Sequence, residues 1–485
     1  MSAEIEENQE QPPNEGDWLS DAPPDFQWGR FPEAEAFIEK HLQRFLGTHA
    51  FAAQLSLRMR DETSTLFANW VDHVIVPQQD VDSDQFESEL GFQIENVETS
   101  QGETVYWHPP PYFPRVILSP NASEPSAAIK VESINDFLIS HQLSLPIEGA
   151  VLSTYRVARL PSQGGSGQAR LPHGDCQFLI TERRGYRGYL PQAHSDSEAY
   201  LGAREAWMTR QRKFQDNQIG MRAALQLAQK LAQDLGPDLA CHIVFECERA
   251  YWQKRNTAAC VQKLRQDHLG LGWANHDHHT YRSSRVFFPT LIRIFKALGF
   301  KLRERYYAGA EAGWGAQIVE QPACGIIVFA DLDLTPEDTS VDFASTALPP
   351  TQKLGTIGLW CALHGESMLQ AGMHHLEAQF DFENMRDYLE SAGLRMMAPF
   401  SDFSYLKQAF SKGEMWPVEE KRLQTLLEQG KITQEQRERY SREGAIGSHL
   451  ENLQRTEGYK GFNQKNVSDI IQATDPRLQH LVHDA

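Results

Sequence analysis

The segment NHDHHTYRSS (275–284), followed at once by FFPTLIRIFKALGF (287–300), decides how the rest of the chain is read. The first reads as a strand. The second places Phe288, Leu291, Phe295 and Leu298 on one helical stripe and closes at Gly299, so it reads as an amphipathic helix with a glycine stop. Three further strand-like runs follow, KLRERYYA (301–308), WGAQIVEQ (314–321) and GIIVFADLDL (325–334), divided by Gly or Pro. The order is βαβββ.

A second copy starts near Gly372. MHHLEAQF (373–380) is its first strand, FENMRDYLESAGL (382–394) its helix, and GSHLENLQR (447–455) its last strand, after a charged helical run EEKRLQTLLEQGKITQEQRERYSREG (419–444). Two copies at this spacing are a coarse internal repeat. The expected fold class is α+β, with paired βαβββ repeats forming a cupped sheet behind a mixed, partly helical N-terminal region.

Working outward, MRAALQLAQKLAQDLG (221–236) anchors a helical stretch, while CHIVFECE (241–248) fits either a strand or a buried helix segment. PSQGGSGQAR (161–170) reads as a surface loop. NWVDHVIVPQ (69–78), a short helix, ETVYWHP and RVILSP run β, α, β, β, which suggests a third, decayed copy over 69–120. Pro32 to Arg60 is amphipathic, with Phe37, His41, Phe45 and Ala52 near helical spacing. The first 25 residues are too acidic and too poor in apolar positions to offset the entropy of ordering. The expected division is a tail over 1–25, an α+β region over 26–195, a helical region over 196–269, a first metal-binding module over 270–340, a second over 341–475 with a helical insertion at 400–445, and a tail over 476–485.

A chain of 485 residues exceeds what one hydrophobic core usually serves. Its net charge of −19 repels a phosphate backbone, and its basic residues form no stripe, so nucleic acid is excluded as a partner. No apolar run reaches the eighteen or so residues of a membrane span. Six cysteines without a CxxC pair read as scattered buried thiols of a soluble, cytoplasmic protein.

Alternation along the first strand puts residues 276, 278, 280 and 282 on one face, so His278 and Arg282 share it. A metal ligand and an anion clamp would then stand about 13 Å apart at their α-carbons. In the second copy His374 and His375 must face opposite sides; His375 is favoured and His374 is the alternative. Glu451, in a partly apolar strand, needs an arginine, a metal or water as partner. One His from the first strand of each copy and an acid from the last strand would bind one face of a divalent ion and leave the opposite positions open, an arrangement suited to Fe(II). Zn or Mn fits the same residue types.

These features resemble the vicinal oxygen chelate superfamily, and within it the 2-oxoadipate dioxygenase/decarboxylase (hydroxyglutarate synthase) family. His278-His279-Thr280-Tyr281-Arg282 is similar to that family's His-x-x-x-Arg signature. Leu363-His364-Gly365 precedes the second histidine strand in a similar way. Glu451-Asn452-Leu453-Gln454-Arg455, with Gly461-Phe462 and Asn466 after it, looks like the Glu-x-x-Gln-Arg end of 4-hydroxyphenylpyruvate dioxygenases. The likeness covers about 270–475. It departs where Leu376-Glu377-Ala378 replaces an expected Thr-Pro-Arg, and in the long region before the first ligand. The resemblance implies Fe(2+) on His278, His375 and Glu451, with Arg282 binding a substrate carboxylate. It also implies a dioxygenase and decarboxylase that takes a small 2-oxo acid and O2 to a hydroxy acid and CO2. The alternatives are a non-catalytic binding protein of the same fold and a glyoxalase-like or extradiol dioxygenase relative.

Overall fold

The computed structural model describes residues 28–109, 112–162, 176–463, 466, 471 and 474–477. The expected acidic tail, most of the 161–170 loop and most of a closing helix expected at 467–473 lie outside them. Two helices come first, α1 (Pro32–Thr48) and α2 (Ala50–Thr63). The break between them falls at His49, which leaves helical geometry and accepts the Ala52 N–H on its own Nδ1, so that one side chain caps the second helix.

The strand β1 (Val71–Pro77) and helix α3 (Ser83–Ser88) are followed by β2 (Gln93–Ile94), β3 (Thr104–Trp107) and β4 (Arg115–Ser119). This is the third βαβββ copy. A fourth, not foreseen from the sequence, follows as β5 (Ser126–Lys130), α4 (Ile134–Ser140), β6 (Ile147–Glu148), β7 (Tyr155–Pro161) and β8 (Gln177–Arg183). The sheet runs β2-β3-β4-β1-β5-β8-β7-β6. First and last strands of each copy pair in parallel, and the two copies join antiparallel through β1 and β5.

Four helices then cross over: α5 (Ser197–Thr209), α6 (Asn217–Leu235), α7 (Pro237–Gln253) and α8 (Thr257–His268). The ambiguous 241–248 run is the middle of α7. Its continuous apolarity reflects a helix buried on several sides, with Cys241, Ile243, Val244, Phe245 and Cys247 all in the core.

The C-terminal sheet repeats the N-terminal plan. Its first copy is β9 (His276–Arg282), α9 (Phe288–Ala297), β10 (Lys301–Tyr307), β11 (Trp314–Gln321) and β12 (Ile326–Asp333). After α10 (Thr356–His364) comes the second, with β13 (His375–Gln379), α11 (Phe382–Ser391), β14 (Ser401–Phe403), β15 (Leu406–Phe410) and β16 (Glu414–Trp416). The helices α12 (Glu420–Glu428) and α13 (Gln434–Glu443) precede β17 (Ala445–Arg455). The 400–445 segment is therefore not wholly a helical insertion; its first part supplies the middle strands of the repeat.

The strand order β10-β11-β12-β9-β13-β17-β15-β14 makes the two copies mirror each other about the antiparallel β9/β13 seam. Tyr281, Leu376, Ala378 and Leu450 point to the face covered by α7 and α9, where Phe245, Leu291 and Phe295 complete one large core. The other face is the cup, and it carries the polar residues. Among the described residues no helix is long and apolar enough to cross a membrane.

Candidate metal centre

The register of the seam places the site. His375 lies opposite Thr280 and Leu376 opposite His279, but Ala378 then lies opposite His276, so β9 holds one extra residue against β13. A bulge of this kind re-aims side chains locally. Here it brings Asp277 and His278 together against Glu377, while His276 turns away and packs its ring 5.2 Å from that of His279. The alternation expected from the sequence thus holds for 278, 280 and 282 and fails at 276.

Across the parallel pair β13/β17, His375 stands beside His449 and Glu377 beside Glu451. The outcome is a group in which His278, His375 and Glu451 each offer a ligand atom, all within 4.8 Å of one another. Glu451 Oε2 lies 3.2 Å from His375 Nε2 and 3.9 Å from His278 Nε2. Ligands at right angles and about 2.1 Å from an ion sit about 3.0 Å apart, so small adjustments admit a divalent cation. All three side chains are buried. His374, the alternative, is elsewhere: its Nδ1 lies 2.9 Å from the Gly447 carbonyl and its ring packs on Trp360.

Burial holds the His278 imidazole well below its ordinary range, reinforced by the charges of His375, Arg455 and Arg303. Burial raises the Glu451 carboxyl above its usual value, against the opposing pull of His375. A neutral imidazole is the ligating form, and a carboxylate that is costly to ionise alone gains from a cation. The donor set, two nitrogens and one oxygen with no thiolate, fits Fe(II), Zn or Mn.

Neighbouring side chains fix these ligands. Glu377 contacts His278 Nδ1, with Asp277 Oδ1 3.3 Å from the same nitrogen, which leaves Nε2 on the ligand side. Gln408 Nε2 donates to both Glu377 Oε1 (2.9 Å) and Glu451 Oε1 (3.1 Å). Thr280 Oγ1 stands 2.8 Å from His375 Nε2, the nitrogen that faces Glu451, so its hydroxyl borders the ion position itself. Arg455 binds Asp277 through two nitrogens, at 2.8 and 3.0 Å. Phe329 and Phe410 wall the site, 4.5 and 5.0 Å from the His278 and His375 rings. Of these, Glu377 and Thr280 had a plain sequence signal, because each is two residues from a ligand, His375 or His278, and must share its strand face. Gln408 and Asp277 depend on register and a bulge.

Arg282 lies on the His278 face, fully buried. Its backbone N–H donates to Ser367 Oγ, but among the described residues none of its three guanidinium nitrogens has a hydrogen-bond partner. The guanidinium sits 5.6 Å from the Trp360 ring, and burial lowers it to about 10. Asp331, opposite Arg282 in the β9/β12 register, is pushed up to about 7 by burial and forms no ion pair with it. The serines that follow are occupied: Ser283 Oγ and the Ser284 N–H both donate to Glu366. His364 is occupied too, its Nε2 3.1 Å from the Ile446 carbonyl.

No family model matches the chain, and no curated protein does. Among solved structures, the chain is similar to the hydroxyglutarate synthase of Oryza sativa in complex with 2-oxoadipate, at 12% identity and a TM-score of 0.33, over 53% of this chain and 95% of that one. It is similar to a mutant 4-hydroxymandelate synthase from Streptomyces coelicolor at 12% identity and a TM-score of 0.28, over 84% and 98%. Methylmalonyl-CoA epimerase from Mycobacterium tuberculosis follows at 13% identity and a TM-score of 0.21, over 38% and 89%. Strand order and register show four βαβββ copies, paired into two sheets.

Proposed function

We propose that the chain is a non-haem iron dioxygenase and decarboxylase of a small 2-oxo acid, of the 2-oxoadipate-like class. The observation that carries this reading is the convergence of His278, His375 and Glu451 in the cup while the buried Arg282 guanidinium, on the same strand face, has no hydrogen-bond partner among the described residues. Fe(II) bound there would supply O2 activation and Lewis acidity toward a chelating 2-oxo acid, yielding a hydroxy acid and CO2.

The chain's own residues supply the rest. Glu377 and Asp277 hold His278 by Nδ1, so the ring presents Nε2. Gln408 keeps the Glu377 and Glu451 carboxylates apart yet aligned. Arg282 receives a substrate carboxylate through a planar fork, a geometry that lysine does not offer. Phe329, Phe410 and Trp360 keep the surroundings apolar, which strengthens each of these charge interactions. Glu377, where the family pattern leads one to expect a proline, serves as a hydrogen-bonding support. All six cysteines are free thiols, in keeping with a reducing cytoplasm.

The test is O2 consumption by the iron-loaded protein. With 2-oxoadipate and shorter 2-oxo acids, uptake should be accompanied by equimolar CO2. Uptake driven by catechols instead would move the assignment to extradiol cleavage, and none with either class would leave a binding protein.

A further inference from the structure

A second polar site lies away from the cup, in the cleft between the two sheets. A cavity of about 230 Å³ opens there, with Asp72, Lys130, Arg183, His276 and Cys324 among its lining residues. Its carboxylates are already engaged. Asp72 is bound by Arg183 at 2.7 Å and by His73 at 2.8 Å, Glu95 by Arg115 at 2.8 Å, and Glu320 by Lys460 at 2.8 Å.

Lys130 is different. It ends β5, and among the described residues its ammonium makes no hydrogen bond or ion pair. Burial lowers it from its ordinary range against the opposing pull of Asp72, and the charges of Arg183 and Arg249 add to the lowering. Arg249, on α7 and only 6% exposed, also lacks a carboxylate partner among the described residues: there its one bond is to His279 Nε2 at 3.5 Å, and its Nε has none. His276, turned out of the cup by the bulge, is 7% exposed, lines the cavity, and leaves its Nδ1 without a partner.

Lys130 thus stands on a wall that carries five cations, Arg115, Lys130, Arg183, Arg187 and Lys460, against three carboxylates, and the acid whose charge bears most on it, Asp72, is already shared by Arg183 and His73; Arg249 of α7 adds its charge from behind that wall. A half-buried ammonium whose acid is shared with a second cation is only partly compensated, and its burial keeps a cost. A negative ligand removes that cost, and the unused imidazole supplies a directional hydrogen bond. We propose that this cleft is an anion site, in which a carboxylate or phosphate group of a small ligand sits on Lys130 and His276 with Arg249 behind them. The site is independent of the metal centre: it lies on the other side of β9, and none of its residues belongs to the ligand triad.

Titration calorimetry on the full chain in chloride buffer tests it, with inorganic phosphate in one arm and glutarate in the other. At least one probe should bind saturably, with a Kd below about 1 mM. Phosphate alone would identify a phosphate ligand, glutarate alone a carboxylate, and both the shared oxyanion chemistry. Lys130→Gln should weaken binding at least about tenfold, the effect of one charge-assisted hydrogen bond, and His276→Asn should weaken it less. Lys130→Arg should preserve it. No saturation up to about 20 mM would overturn the proposal. So would binding indifferent to Lys130→Gln, which would put the anion elsewhere, including at the metal centre. Failure of Lys130→Gln to fold would overturn it as well, because an ammonium without a partner is not one the fold depends on.

Discussion

Replacing Arg282 by Met should make the metal-free protein more stable and the enzyme worse at binding its substrate. The guanidinium is fully buried without a hydrogen-bond partner among the described residues, so it has given up hydration and regained little there beyond the Trp360 ring 5.6 Å away. Its nearest compensating acid, Asp331, is itself pushed up to about 7 and is half protonated near neutrality, so removing Arg282 does not strand a carboxylate; Asp331 simply keeps its proton. Exchanging such buried charge for an apolar side chain of similar volume is neutral to stabilising, by up to about 4 kcal/mol. Against this, a substrate carboxylate on Arg282 makes charge-assisted bonds worth about 1.5–3 kcal/mol each, so losing the fork should raise the Kd about 10- to 100-fold per bond. Denaturant midpoints of the metal-free protein at pH 7 read the first effect. Calorimetry with 2-oxoadipate on anaerobic Fe(II)-loaded protein reads the second, and metal content should not change. A Met variant that is destabilised by more than about 1 kcal/mol and binds the acid normally would show that Arg282 is a structural group and not an anion seat.

Three further outcomes follow from the same geometry. Glu377→Gln should weaken metal binding about 10- to 100-fold without abolishing it, because Glu377 orients His278 and does not join the triad; competition with a chelator measures this, and complete loss of metal would make Glu377 a ligand. Stability should fall with acid: His278, His276, His279 and His374 are held well below 6.5, and His364 and His449 at about 3, so only the unfolded chain takes up protons as the pH drops below 6.5. Each such imidazole costs about 1.4 kcal/mol per pH unit in that window. Asp331, raised to about 7, acts in the opposite sense together with the raised Glu451, Glu366 and Asp333, against a larger number of lowered imidazoles; midpoints unchanged between pH 7 and 5 would contradict the burial of these rings. Metal affinity should rise with pH, since Glu451 is raised and must lose its proton to bind a cation, and a pH-independent affinity would argue against Glu451 as ligand.

The C-terminal repeat was legible where its periodicities were long. The α9 stripe and the eight-residue strands β11 and β12 leave clear patterns, and so does the 11-residue β17 that carries Glu451. The segment 401–410 was not legible, because β14 is three residues long and Ser-Asp-Phe carries no strand signature. The fourth copy hid for the same reason: β6 has two residues, and β5, Ser-Ala-Ala-Ile-Lys, holds only one β-branched side chain. At the site, strand alternation was enough to link His278 with Arg282. The choice of His375 over His374 awaited the pairing with Thr280, and Gln408 awaited the β15/β17 register. The bulge at Asp277 follows from the seam between two distant segments, so no local pattern encodes it. His276 was misplaced on that account.

The central claim is that His278, His375 and Glu451 together hold one metal ion. Counting Fe(II) bound at equilibrium in the wild type and in His278→Ala, His375→Ala and Glu451→Ala tests it directly. The account predicts one ion per chain in the wild type and none in each variant at the same free iron, with unchanged far-ultraviolet circular dichroism. Full occupancy retained in any two of the three variants would contradict it.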